Sequence, residues 1–228
     1  MLSVHPSIDP KIAAIAPGFR AVSVVVEAAP ILRPEVADKA MERAVKVVQS
    51  NSCGWAEAHL SAWAEVFRKF GAKPQRTPCS AEALLKRVKK DGKLPAIDPV
   101  VDLYNAVSIE YAIPVGGENF ATYSGMPRLT VAEGCEVFDT TKSGEPANEP
   151  PEAGEVVWRD DIGVTCRRWN WRQGVRTRLD ASATQMWFIL ESLPEMPVDA
   201  LNAAADTLVM GLMEMMPGAV ITTELVET

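Results

Sequence analysis

The chain has 228 residues, 47% of them hydrophobic, a size and apolar content that suit a globular protein with one substantial core. Its 23 basic and 30 acidic residues leave a formal net charge of -7, which excludes the broad basic face of a general nucleic-acid binder, so any RNA contact has to be local. Two histidines (His5, His59) and four scattered cysteines (Cys53, Cys79, Cys135, Cys166) make no HExxH motif, CxxC pair or Cys/His cluster, so no metal is expected and the thiols are expected to be free.

The first thirty residues are interrupted by Asp9, Pro10, Lys11, Pro17 and Arg20, and Glu214 breaks LVMGLMEMM. Neither segment makes a signal sequence or a span of about 20 apolar residues, and a cytoplasmic protein with no membrane partner is expected. Phosphate-loop, dinucleotide and GxSxG motifs do not occur, so no nucleotide cofactor is expected.

In chain order, FRAVSVVVEAA (19–29) predicts a strand. Residues 34–50 predict a helix, with Val36, Ala40, Ala44 and Val47 at helical spacing and Pro34 in the first turn. A second helix follows over 57–70, with Leu60, Trp63, Ala64 and Phe67 on one stripe and Gly71 beyond its end. Ser80 is placed to cap a third helix over 81–90. VVDLYNAVSIEYAIP predicts a fourth, which ends at Pro114 before a Gly116-Gly117 turn. Strands are predicted at 128–132, 155–159, 164–169, 185–190 and 219–226, with a helix over 199–215. The Pro- and Glu-rich stretch from Thr140 to Gly154 reads as an exposed loop. The whole predicts one α+β domain, residues 1–228 with its core over about 20–228, in which helices pack on a mixed, largely antiparallel sheet.

AIDPVVDLYNAVSIEYAIPVGGENF (96–120) resembles the B3/B4 domain of the β subunit of bacterial phenylalanyl-tRNA synthetase, through Pro99, Val100, Val101, Asp102, Asn105 and Pro114. WRDDIGVTCRRWNWRQGVRT followed by WFILES is similar to free-standing relatives of that domain. The resemblance covers roughly residues 20–228. It implies an editing deacylase or a binder of the tRNA acceptor end, because the synthetase's domain hydrolyses tyrosine wrongly attached to tRNA. The synthetase's pocket histidine corresponds to Gly116, and its Gly-Gly-Glu segment falls near Arg172–Thr177, where there is no Glu. Tyrosine specificity therefore does not carry over.

An aminoacyl ester is already activated, so an editing site has to hold it, place a water and stabilise an oxyanion. Gly116 and Gly117 can bring backbone N–H groups to a carbonyl, or simply end the helix. Asn105 on an apolar helical face can position water or ester, or cap a neighbouring loop; Ser108, one turn on, can share the first role or simply pack. Glu118 can act as general base if desolvated, and is otherwise a solvated loop carboxylate. A nucleophilic Cys166 needs an activating base, for which His59 is the candidate.

The stretch 158–178 holds six arginines and three tryptophans, while beyond Arg178 there is no Lys or Arg and there are eight acids. Strict alternation puts Cys166, Arg168, Asn170 and Arg172 on one strand face and Arg167, Trp169 and Trp171 on the other. Arg168, Asn170, Arg172, Arg176 and Thr177 are thus candidates to bind substrate or grip a single-stranded tRNA end. Alternatively, the arginines pair with Asp160 and Asp161 over a tryptophan core. Three functions follow: trans-acting hydrolysis of mischarged tRNA, non-catalytic tRNA or RNA binding, and binding or hydrolysis of small amino-acid derivatives.

Overall fold

The strand over Arg20–Glu27 is buried along nearly its whole length, and the fold is built on its two faces. In a computed structural model that describes residues 2–227, the elements are β1 (Ser7–Ile8), α1 (Lys11–Ile15), β2 (Arg20–Glu27), α2 (Glu35–Ser50), α3 (Ala56–Lys69), α4 (Ser80–Asp91), α5 (Pro99–Tyr111) and β3 (Val115–Asn119). They continue as β4 (Arg128–Val131), β5 (Asp139–Lys142), β6 (Glu145–Asn148), β7 (Val156–Arg159), β8 (Val164–Arg167), β9 (Arg172–Gln173), β10 (Gln185–Ser192), α6 (Val198–Met215) and β11 (Val220–Glu227). The architecture is α+β, as predicted.

One antiparallel sheet has the order β11-β2-β10-β3, and a second has the order β1-β4-β7-β8-β9, in which β1 and β4 alone run parallel. Val22, Val24 and Val26 with Met186, Phe188 and Leu190 face the core shared with α2, α5 and α6. Ala21, Val25, Trp187 and Ile189 face the opposite way, into a core with Phe19, Trp63, Trp158 and Trp169. With both faces covered, the interior of β2 is apolar apart from Ser23, whose hydroxyl accepts the Trp187 indole N–H (2.9 Å), which is why its sequence reads as a run of valines as well as an alternation.

α5 crosses the middle of the helical layer and is apolar nearly all round. Its start is fixed by Asp98, whose carboxylate accepts the N–H groups of Val100 (2.9 Å) and Val101 (3.4 Å), and by Pro99 in the first turn. His59 ties α3 to both neighbours. Its Nε2 takes N–H donors from Trp63 (3.1 Å) and Leu193 (3.1 Å), so Nδ1 carries the proton and donates to the Ala112 carbonyl (2.9 Å). Burial holds the ring's pKa down at about 4.

Four expectations need correction. Cys79, not Ser80, stands at the N-cap of α4, without a side-chain cap bond, and the buried Ser80 hydroxyl has no partner. Gly116-Gly117 is not a turn but part of the edge strand β3, paired with β10. The 140–154 region is largely exposed but contains most of a hairpin, β5-β6, closed by Ser143 (φ 53°) and Gly144 (φ 87°). Two consecutive left-handed residues make the tight turn whose twist matches a hairpin, and Pro146 on the exposed strand hides the alternation. Finally, the 164–169 strand stops at Arg167, because Arg168 (φ 47°) and Trp169 (φ 64°) are both left-handed.

Candidate functional site

A cavity of about 270 Å³ opens where the edge strand β3 meets α4, α5 and the 166–173 segment. Six of the ten residues singled out from the sequence line it: Asn105, Gly116, Gly117, Glu118, Asn170 and Arg172. A larger cavity of about 360 Å³ between α2, α3 and α4 contains none of them.

The β3 edge follows from simple ladder geometry. Pro114 accepts from the Glu191 N–H (3.0 Å), whereas Asn119 donates to Thr177 (2.9 Å) and the Gly117 carbonyl accepts from Gln173 Nε2 (2.9 Å). Odd residues of β3 therefore turn their backbone groups away from β10. The Gly117 N–H points off the sheet edge, while that of Gly116 is spent on the ladder with Ile189. Of the two glycines named as oxyanion donors, Gly117 alone has the orientation.

Glycine at 117 is also a packing requirement, since a Cβ there would stand 2.8 Å from Tyr104 Cε1 and 3.0 Å from the Phe188 ring. Gly117→Ala should lower stability by about 1–3 kcal/mol as Tyr104 and Phe188 are forced apart. Urea denaturation of parent and variant measures this, and equal midpoints would show that the rings yield freely.

Glu118 is 4% exposed, not a solvated loop carboxylate. Its side chain points between the two sheets opposite Trp187 and accepts a hydrogen bond from the Tyr123 hydroxyl. Burial pushes its pKa up to about 7, against the opposing effects of the Tyr123 hydrogen bond, the neighbouring Thr165 and Thr177 hydroxyls and the charge of Arg176. Asn105 stands on the α5 wall of the cavity, and among the described residues its amide makes no hydrogen bond to the protein.

The other sequence-derived residues are used elsewhere. Ser108 is fully buried and donates to the Ile113 carbonyl (2.6 Å), closing the end of α5. Arg176 forks onto Asp160 through Nη1 and Nη2 (both 2.9 Å) and also reaches the Thr122 carbonyl (2.8 Å). Thr177 is buried beside Glu118. Arg168 stacks over Trp171 (4.6 Å) and lies 3.8 Å from Glu155, on a surface shared with Lys73 and Arg76.

The expected face pattern fails because the left-handed pair at 168 and 169 breaks the alternation. Trp169, Asn170, Trp171 and Arg172 all reach the cavity wall, while Arg167 turns to a two-pronged pair with Glu155 (3.0 and 2.8 Å). Cys166 lines the cavity too, but burial raises its pKa well above the usual thiol value. His59, with both ring nitrogens engaged in the α3 junction, is not available to activate it.

Sequence reasoning missed Glu191. This carboxylate is 1% exposed and sits on the cavity wall, where Oε1 accepts the indole N–H of Trp158 (2.9 Å) and Trp169 (2.8 Å) and Oε2 accepts from Asn170 Nδ2 (3.0 Å). Burial pushes it, too, up to about 7. The signal was one acidic residue directly after the apolar run WFIL, since an acid in a buried strand is rare unless it has partners.

The B3/4 domain model matches residues 62–205. The chain belongs to the B3/4 domain family. Every residue that lines the cavity lies inside the matched part of this B3/4 domain, whereas β2 and β11, which complete the first sheet, lie outside it. Among solved structures, the chain is similar to an N-terminal fragment of the phenylalanyl-tRNA synthetase β-subunit from Pyrococcus horikoshii, with 13% identity and a TM-score of 0.49. That likeness covers 100% of this chain but 55% of the other. A search of curated proteins finds no match. Among the described residues, no helix of the B3/4 protein is long and apolar enough to cross a membrane.

Proposed function

We propose that this B3/4 protein is a trans-acting editing factor that hydrolyses the ester between an amino acid and the acceptor end of a mischarged tRNA. The observation that carries this reading is that one cavity is lined by Glu118 with its buried carboxylate, by Gly117 with its outward-facing N–H and, from the α5 wall, by Asn105 with its unpaired amide. Glu118 takes a proton from a water, whose oxygen attacks the ester carbon. The Gly117 N–H stabilises the oxyanion, and Asn105 orients the water or the ester. The carbon–oxygen bond then breaks and the proton passes to the departing ribose oxygen, leaving free amino acid and tRNA. Arg172, at the cavity and partly exposed, meets the RNA end in this reading.

A second reading, action on a free amino-acid derivative, is favoured by how the arginines are spent. Arg159, Arg167, Arg168, Arg172 and Arg176 all stand within 4.0 Å of a carboxylate of the protein, which leaves little guanidinium surface for phosphate. A panel of mischarged tRNAs separates the possibilities. Release of amino acid supports editing, binding without turnover supports a non-catalytic tRNA binder, and absence of both points to the small-molecule reading.

A further inference from the structure

The Glu191 end of the cavity has a chemistry that ester hydrolysis does not use. Its carboxylate is held by two indole N–H groups and one amide N–H, all neutral, and among the described residues neither Glu191 nor Glu118 is paired with a basic side chain. Asn170 is 7% exposed and lines the cavity; because its Nδ2 is committed to Glu191, its Oδ1 faces the other way and has no partner. A buried amide oxygen without a donor is costly unless a ligand supplies one. A carboxylate and an amide oxygen are therefore found at a cavity that the indoles of Trp171 and Trp187 and the ring of Tyr104 also line. The cation on the same wall, Arg172, is already held by Glu149 (3.1 Å) and Thr140 (2.6 Å). An amide oxygen without a donor, a carboxylate with no cationic partner and aromatic faces together complement an organic ammonium group.

We propose that the Glu191–Asn170 end of the cavity binds a primary ammonium group of the ligand. Its place in the substrate rests on the editing reading. Glu118 lies opposite Trp187 in the ladder, and Glu191 is four residues further along β10, a backbone separation of roughly 13 Å at the strand rise. An α-ammonium lies only about 2.5 Å from the carbonyl carbon of its own ester and spans little of that separation while the ester is at Glu118. An ammonium at the end of a long side chain spans more of it. The substrate class is then an aminoacyl ester with a cationic side chain.

The test uses the full chain and three ligands: Nα-acetyl-L-lysinamide, with a side-chain ammonium; L-norleucinamide, with an α-ammonium; and Nα-acetyl-L-norleucinamide, with neither. Binding is read by calorimetry or tryptophan fluorescence in the parent and in Glu191→Gln. The glutamine can keep the fold, because its oxygen accepts both indoles and its NH₂ donates to a flipped Asn170. Nα-acetyl-L-lysinamide should bind about 10- to 100-fold more tightly than the uncharged ligand, and Glu191→Gln should erase the difference. A preference for L-norleucinamide instead, equally lost in Glu191→Gln, supports the ammonium site with the α-amine as its source. Equal binding of all three ligands, or a preference that survives in Glu191→Gln, overturns it. Ammonium preference with no hydrolysis of any aminoacyl-tRNA leaves this site standing and removes the editing reading, and hydrolysis with no ammonium preference does the reverse.

Discussion

Glu118→Gln should lower turnover of a mischarged tRNA by about 10²- to 10⁴-fold, the usual contribution of a positioned general base, while leaving tRNA binding nearly unchanged. The substitution keeps the shape of the side chain and an oxygen to accept the Tyr123 hydroxyl, so the cavity persists and the loss falls on kcat. The pH profile gives a second readout. A base held at about 7 by burial is protonated and inactive in acid, so the parent's rate should climb through that value and level off above it. Tyr104, Tyr123 and Cys166 around it are all pushed up by burial and stay neutral in this range. Glu191 also titrates at about 7 but acts on binding, so at saturating substrate, after subtraction of the spontaneous reaction, Glu118→Gln should show no such step. A variant that keeps the parent's kcat and its step at pH 7 rules Glu118 out as the base.

The sequence already displayed the helical layer. α2, α3, α5 and α6 carry long periodic stripes, and Asn105 on α5 was recognisable as a polar group on an apolar face. The edge of the cavity was not legible. Gly116-Gly117 has the composition of a turn, and its place in a strand is set by the close approach of Tyr104 and Phe188, which are distant in sequence. That same pairing with β10 carries Glu118 into the space between the sheets, so its burial is a tertiary effect. Nor could alternation alone foresee left-handed backbone at Arg168 and Trp169, neither of which is a residue type that favours it. The arginine-rich stretch accordingly divides by partner instead of by face. Arg167 and Arg176 hold buried carboxylates, and Arg172 stands at the cavity.

Stability should fall as pH rises from about 4.5 to 7.5, an inversion of the behaviour of proteins whose carboxylates are well paired. Glu118 and Glu191 are raised by burial from 4.5 to about 7, so folding favours their protonated forms. Their contribution is fully present below the unfolded value and is lost as pH climbs to the folded one, on the order of 3 kcal/mol each at 1.36 kcal/mol per unit. His59 works in the opposite direction. Lowered by burial from 6.5 to about 4, it must charge on unfolding in mild acid, so on the order of 3 kcal/mol is gained as pH rises across that interval. The net loss for the parent is therefore on the order of 3 kcal/mol. Asp160, held low despite its burial by the Arg176 fork and backbone N–H groups, acts only below the window, where acid weakens the fold. Glu191→Gln removes one carboxylate and should flatten the curve, and Glu118→Gln combined with Glu191→Gln should leave the His59 contribution exposed, so that stability rises with pH. Urea denaturation at pH 5, 6, 7 and 8 reads all three slopes. Parallel curves for the parent and the double variant would mean that the two buried carboxylates are already compensated in the folded chain, and the cavity would then lack the unbalanced negative charge on which an ammonium ligand depends.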